Sequence, residues 1–313
     1  MAPRPTIIDC DPGQDDAVML LLALASPERI EVLGVTAVAG NVPLDLTQRN
    51  ARLICDLAGR GDVRVYAGCP RPMVRPLVTA EHVHGRTGLD GIEIREPETP
   101  LQPLHAVDFI VETLMAAEEG SVTVVPTGPL TNIAMALVKE PRIASRIAEI
   151  VLMGGAMREG GNTTPAAEFN ILVDPHAAHV VFACGRPITV MGLDVTHQAL
   201  TTPDRLEAFA ALGTPVGRAV RDMLEFYDRH DIAKYGAPGG PLHDPCTIAY
   251  LLRPDLFVGK PVNVSIEIQS ELTMGATVVD FWGVTGKAPN ATWMYEIDDD
   301  GYYALLVERI GRL

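Results

Sequence analysis

TIIDCDPGQDDAVMLLLALA, residues 6–25, decides the fold. A short apolar run stops at Asp9, and a longer one starts after Asp16. Between them stand Asp9, Asp11, Asp15 and Asp16, the two pairs separated by Pro12 and Gly13. A continuous apolar run of strand length, closed by turn residues, reads as a β-strand buried on both faces. The segment behind it reads as a helix whose first turn is acidic. Strand, tight turn and helix in this order form the opening unit of a parallel sheet.

The same unit recurs outward along the chain. IEVLGVTAVAG (30–40), VRVYAG (63–68), SVTVVPTG (121–128), EIVLMGG (149–155) and PITVMGLDV (187–195) are expected strands. Residues 42–59, 130–140 and 174–184 are expected helices. This alternation predicts an α/β fold, a mainly parallel sheet with helices on both faces. PVNVSIEIQ (261–269) and ATVVDFWGV (276–284) are expected as an antiparallel addition. No linker, charge run or repeat divides the chain, so residues 1–313 are expected to form a single domain. The Gly- and Pro-rich stretches 68–100 and 231–245 are expected to be ordered loops over a site.

Composition narrows the function. Hydrophobic residues make up 47% of the 313, enough for a large core, and the formal net charge is −15. That charge argues against nucleic acid and against an anionic membrane as partners, because both call for a basic surface. The longest apolar run, residues 17–25, is about half a membrane span. Five cysteines without a CxxC pair, and an N-terminus without a signal-peptide core, predict a cytoplasmic protein with reduced thiols.

Four carboxylates so close together repel one another unless a positive charge sits among them. Helix capping accounts for one or two aspartates at a helix start, not four. An EF-hand loop needs a Glu at its twelfth position; counted from Asp9 that position is Leu20. A haloacid dehalogenase-type aspartyl phosphatase needs a catalytic lysine, and Lys139, Lys234, Lys260 and Lys287 all lie outside any such context. A hard divalent cation, calcium or magnesium, suits the all-oxygen donor set. Other polar groups gather at the ends of later segments: Asn41, His84, Asn162, Glu168, Asn170, and His243 with Asp244. Carboxylates, amides and two histidines suit a polyhydroxylated ligand such as a sugar.

The Asp-x-Asp-Pro-Gly-x-Asp-Asp signature at 9–16, followed in order by VAGN (38–41), VHGRTGLDG (83–91), VVPTGPLTNIA (124–134), AAEFN (166–170) and GGPLHDPC (239–246), resembles the inosine-uridine nucleoside hydrolase family over nearly the whole chain. The resemblance implies hydrolysis of the N-glycosidic bond of ribonucleosides to ribose and free base, one bound Ca2+, a role in nucleoside salvage, and a homodimer or homotetramer. Carried over by position, it implies Asp11, Asp16, Asp244 and the Thr127 carbonyl as calcium ligands, with Asp11 also activating the metal-bound water. It implies Asp15, Asn41, Asn162, Glu168 and Asn170 as partners of the ribose hydroxyls. His243 becomes the group that assists the leaving base, and His84 lines that end of the pocket. Asp9 is expected to orient its neighbours. Tyr227, His230 and Tyr235 are expected near the base, and His105, His176, His179 and His197 are expected to be surface or packing residues. Two rivals stand beside this reading: the aspartyl phosphatase, and a relative that binds nucleosides or sugars without turning them over. The sequence leaves purine and pyrimidine bases both open.

Overall fold

Ten strands make one sheet. They are β1 (Arg4–Cys10), β2 (Ile30–Ala37), β3 (Val65–Ala67), β4 (Leu101–Gln102), β5 (Val122–Pro126), β6 (Ile147–Met153), β7 (Ile188–Met191), β8 (Phe257–Ile266), β9 (Thr277–Asp280) and β10 (Ala291–Ile297). The spatial order is β4-β3-β2-β1-β5-β6-β7-β10-β8-β9. These come from a computed structural model that describes residues 2–313, except for the side chains of Asp231, Lys234 and Tyr235. Strands β1 to β7 pair in parallel, and β10 joins β7 in parallel. The two segments expected as an antiparallel addition are β8 and β9, reached through β10.

The period-two geometry of β1 feeds two cores. Ile8 points to one face, into a cluster with the helix Gln14–Leu24 and the helix Pro245–Leu252. Ile7 points to the other, against the helices Ala106–Ala116 and Thr131–Lys139. Burial on both faces is what a continuous apolar strand requires. Every residue of the helix Gln14–Leu24 is buried, including Asp15 and Asp16. Fully burying one of its leucines is worth roughly 1.5–3 kcal/mol, so the apolar half of the helix offsets the burial of its acidic first turn.

Strand order reverses between β1 and β5, which lie side by side with Asp9 opposite Pro126. In open α/β sheets ligands bind in the crevice at the carboxyl edge of such a switch point. Two boundaries differ from expectation. The seventh strand ends at Met191, and the residues read as its continuation form a short helix, Leu193–Thr196, with Gly192 as N-cap. The stretch expected as loop from 231 begins at Gly236 (φ +64°), because the helix Pro215–Tyr235 runs up to it. A four-residue helix, Glu81–His84, interrupts the first long loop. No helix among the described residues is long and apolar enough to cross a membrane.

Candidate active site

The turn after β1 and the turn after β5 bring the acidic residues together. Thr127 donates its backbone N–H to the Asp9 carbonyl at 2.8 Å, which seats the β5 turn against the aspartate turn. Gly13 caps the following helix, so neither Asp15 nor Asp16 serves as its N-cap. Asp16 accepts from Gly13 N–H (3.0 Å), Thr127 Oγ1 (2.8 Å) and Asn41 Nδ2 (3.3 Å). Asp244 precedes the helix Pro245–Leu252 but makes no capping hydrogen bond, leaving its carboxylate to the cluster. One oxygen from each of Asp15, Asp16 and Asp244 falls within 4.8 Å of the other two, and all three residues are buried.

Asp11 lies beside this triad. Its Oδ2 accepts the Asn41 N–H at 2.7 Å, while its buried Oδ1 has no hydrogen-bond partner among the described residues. Two glycines make room for it: a Cβ at Gly40 or Gly128 would collide with the Asp11 carboxylate. Asp15 Oδ1 is likewise buried and unpartnered. Such orphaned oxygens are rare and call for a ligand. The electrostatics agree. Burial, reinforced by the neighbouring Asp16, pushes Asp15 up to about 8. Burial also lifts Asp16 to about 6 and moves Asp11 and Asp244 well above the ordinary carboxylate range. Buried carboxylates that repel one another, with an oxygen-only donor set, fit a hard divalent cation.

Asp9 holds the scaffold. Its Oδ1 accepts from Thr36 Oγ1 (2.5 Å) and Asn132 Nδ2 (2.8 Å), tying β1 to β2 and to the helix Thr131–Lys139.

The residues expected around the ribose, Asp15, Asn41, Asn162, Glu168 and Asn170, line one cavity of about 640 Å³ together with Asp244. Several of them also carry local structure. Glu168 caps the helix Phe169–Val173, accepting from Asn170 N–H (2.9 Å) and Ile171 N–H (3.2 Å), and it accepts Gly155 N–H at 2.8 Å. Burial raises its pKa. Asn170 donates Nδ2 to the Thr127 carbonyl at 2.7 Å, and Asn162 Oδ1 accepts Phe169 N–H at 3.0 Å. Asn41 Nδ2 reaches the Asp11 carbonyl at 3.1 Å.

The same cavity is rich in histidine. His82, His84, His197, His230 and His243 all line it, five of the eight in the chain. His84 Nδ1 bonds Gln14 Oε1 at 2.8 Å, and its ring stacks on Tyr227 with centroids 5.3 Å apart. The Tyr227 hydroxyl points back at Asp15 Oδ2, 3.5 Å away. Burial lowers the His84 pKa to about 3 and moves His243 well below the ordinary imidazole range, so both rings are neutral near pH 7. His82 and His230 meet edge to face at 5.5 Å.

His197, expected as a surface or packing residue, lines the cavity. Its ring lies 5.8 Å from that of His243, and its Nδ1 meets Glu159 Oε2 at 3.1 Å. Gln14 was also missed. Gln14 occupies a variable position of the aspartate signature, and the fold alone shows its side chain meeting His84 and brings His197 to His243. Tyr227 and His230, expected near the base, line the pocket, while Tyr235 lies outside the described residues for its side chain. No arginine or lysine lines the cavity among the described residues. A larger groove of about 790 Å³ lies elsewhere, around Arg205, but Asp299 and Asp300 already satisfy that guanidinium and no comparable set of unpartnered groups converges there.

Comparison with known proteins places this geometry. A family model described as "Inosine-uridine preferring nucleoside hydrolase" matches residues 6–304. An uncharacterised protein of Schizosaccharomyces pombe is 53% identical over 98% of this chain and 99% of its own length. The pyrimidine-specific ribonucleoside hydrolase RihA of Enterobacter sp. is 48% identical over 98% of both chains. Among solved structures, a purine-preferring ribonucleoside hydrolase from Gardnerella vaginalis superposes with a TM-score of 0.91, 34% identity and 98% coverage of both chains.

Proposed function

The chain belongs to the inosine-uridine preferring nucleoside hydrolase family and is a ribonucleoside hydrolase, and from that premise we propose calcium-dependent cleavage of pyrimidine ribonucleosides to ribose and free base, carried out by residues 1–313 as one catalytic domain. One observation carries the chemistry: a single cavity is lined both by a buried carboxylate cluster and by two buried, neutral histidines, His84 and His243. Breaking a ribosyl C–N bond builds positive charge on the sugar and negative charge on the base. The carboxylates favour the first, and N–H groups of the histidines favour the second.

Asp11, Asp16, Asp244 and the Thr127 carbonyl would hold the calcium ion, which supplies positive charge to keep the carboxylates ionised and to make water at the site more acidic. Asp15 is close enough to share in this set and otherwise turns to the ribose with Asn41, Asn162, Glu168 and Asn170. Asp11 Oδ1, buried and without a hydrogen-bond partner among the described residues, takes the proton of the attacking water. The water oxygen bonds to the anomeric carbon, and the electron pair of the C–N bond passes to the base nitrogen. His243 is neutral in its buried position, so it assists by presenting an N–H to that nitrogen's ring system rather than as a cationic acid. His84 and Tyr227 flank the base.

The pyrimidine preference draws its support from relatives named as pyrimidine-specific at 47–49% identity. A homodimer or homotetramer is part of the same proposal. A panel of uridine, cytidine, inosine and adenosine, assayed for reducing sugar, tests the reading. The pyrimidine ribosides should be cleaved fastest; faster cleavage of inosine would overturn the preference, and release from none of them would overturn the proposed activity on common nucleosides.

A further inference from the structure

The segment DVTH, residues 194–197, forms most of the short helix Leu193–Thr196 and its C-cap. Its residues serve different neighbours. Asp194 accepts the N–H groups of Met157 (2.8 Å) and Arg158 (2.7 Å), anchoring the loop that carries Glu159. Thr196, with no exposed surface, places Oγ1 2.7 Å from Nδ1 of His243. Backbone pairing across the two segments fixes this approach: Leu242 N–H donates to Ala199 O at 2.9 Å, and Thr201 N–H donates to Gly240 O at 2.8 Å.

From this geometry we infer that Thr196 is a positioning residue for the hydrolysis, its hydroxyl donating to His243 Nδ1 so that the ring's single proton sits on Nε2, facing the cavity. The inference rests on the proposed role of His243 toward the leaving base. An uncharged imidazole, the form an ordinary histidine takes above about pH 6.5, has one donor and one acceptor nitrogen, and the partner of one nitrogen decides which is which. If Nδ1 accepts from the threonine, Nε2 is the donor. If Nδ1 carried the proton, Nε2 would present a lone pair to a base that is gaining negative charge, and the contact would be repulsive. A hydroxyl can play either part, but with Nε2 turned to the leaving group only the donating part helps the reaction.

Thr196→Val keeps the shape and removes the hydroxyl; Thr196→Ser keeps the hydroxyl. Each is measured on uridine and on p-nitrophenyl riboside, whose leaving group needs no help, with His243→Ala alongside. For Thr196→Val we expect kcat on uridine to fall by roughly 10–100-fold with KM nearly unchanged. On p-nitrophenyl riboside it should stay within about twofold, and Thr196→Ser should stay within about threefold on both. Long-range 15N NMR of histidine-labelled wild-type protein should show His243, identified by its loss in His243→Ala, as the Nε2–H form. The inference is overturned by equal losses on both substrates in Thr196→Val, by unchanged turnover of uridine, or by a wild-type Nδ1–H form. Failure of the underlying reading is distinguishable: there His243→Ala itself harms both substrates alike, and the Thr196 role falls with it. The NMR result stands even if the valine variant does not fold.

Discussion

Adding calcium to the chelated protein should expel protons, and the acidic cluster sets how many. Without a cation, burial and mutual repulsion hold Asp15 at about 8 and Asp16 at about 6, with Asp11 and Asp244 well above the ordinary carboxylate range. At pH 7 Asp15 is therefore mostly protonated. A divalent cation among these oxygens favours the ionised form of each. Binding of one Ca2+ at pH 7 should release between about one and three protons, about one of them from Asp15. Titration calorimetry in buffers of differing ionisation enthalpy counts them directly. The count should fall at pH 9, above the Asp15 value, and drop by about one at pH 7 in Asp15→Asn. The same shift has a sign for stability. A carboxyl at about 8 in the folded state and near 3.8 in the unfolded chain stabilises fully only below 3.8. Relative to Asp15→Asn, the metal-free wild type should therefore lose stability as pH rises from about 4 to 8, and calcium should restore it. Calcium binding at pH 7 without proton release would contradict this expectation, because the carboxylates would then already be ionised.

Asp11→Asn keeps the shape while removing the base, so turnover of uridine should fall by roughly 10²–10⁴ with the fold retained by circular dichroism; near-normal turnover would move the base role to another carboxylate. Uridine 5′-monophosphate should be cleaved with roughly 100-fold lower kcat/KM than uridine, because a phosphate would meet carboxylates and, among the described lining residues, no lysine or arginine; comparable efficiency would contradict this. His84 titrates near 3 when folded and 6.5 when unfolded, so its contribution to stability is present above 6.5 and lost as pH falls towards 3. Relative to His84→Gln, the wild type should lose about 1.4 kcal/mol per pH unit in denaturant titrations between pH 6 and 4, and a pH-independent difference would show that His84 is free to protonate.

Residues 6–25 were legible because two levels of pattern coincide there: apolar continuity marks the buried strand and helix, and the aspartates mark the turn between them. The parallel sheet and its antiparallel addition followed from the same continuity. The overrun at PITVMGLDV has the opposite cause, since GLDV is as apolar as a strand and one helical turn is too short to show a period. The position of β10 between β7 and β8 rests on pairing between segments about one hundred residues apart, and local pattern carries no trace of it. The acidic and amide side of the site could be read because each residue sits near a turn in a motif. The histidine side was only half read. His84 and His243 stand beside glycines and an aspartate in loops, whereas His197 looks like any helix terminus until the backbone pairing of 199–201 with 240–242 brings it to His243. The hydrogen-bonding duties of Glu168 and Asn170 were equally invisible, because a helix cap and a pocket-lining residue call for the same side chains.

The central claim is that a bound calcium ion joins this carboxylate cluster to hydrolysis. Chelated protein, titrated back with CaCl2 while bound calcium and ribose release from uridine are measured in the same samples, tests it most directly. Ribose release should rise in proportion to bound calcium and saturate at about one ion per chain. Full activity after exhaustive chelation, or calcium binding that leaves ribose release unchanged, would contradict it.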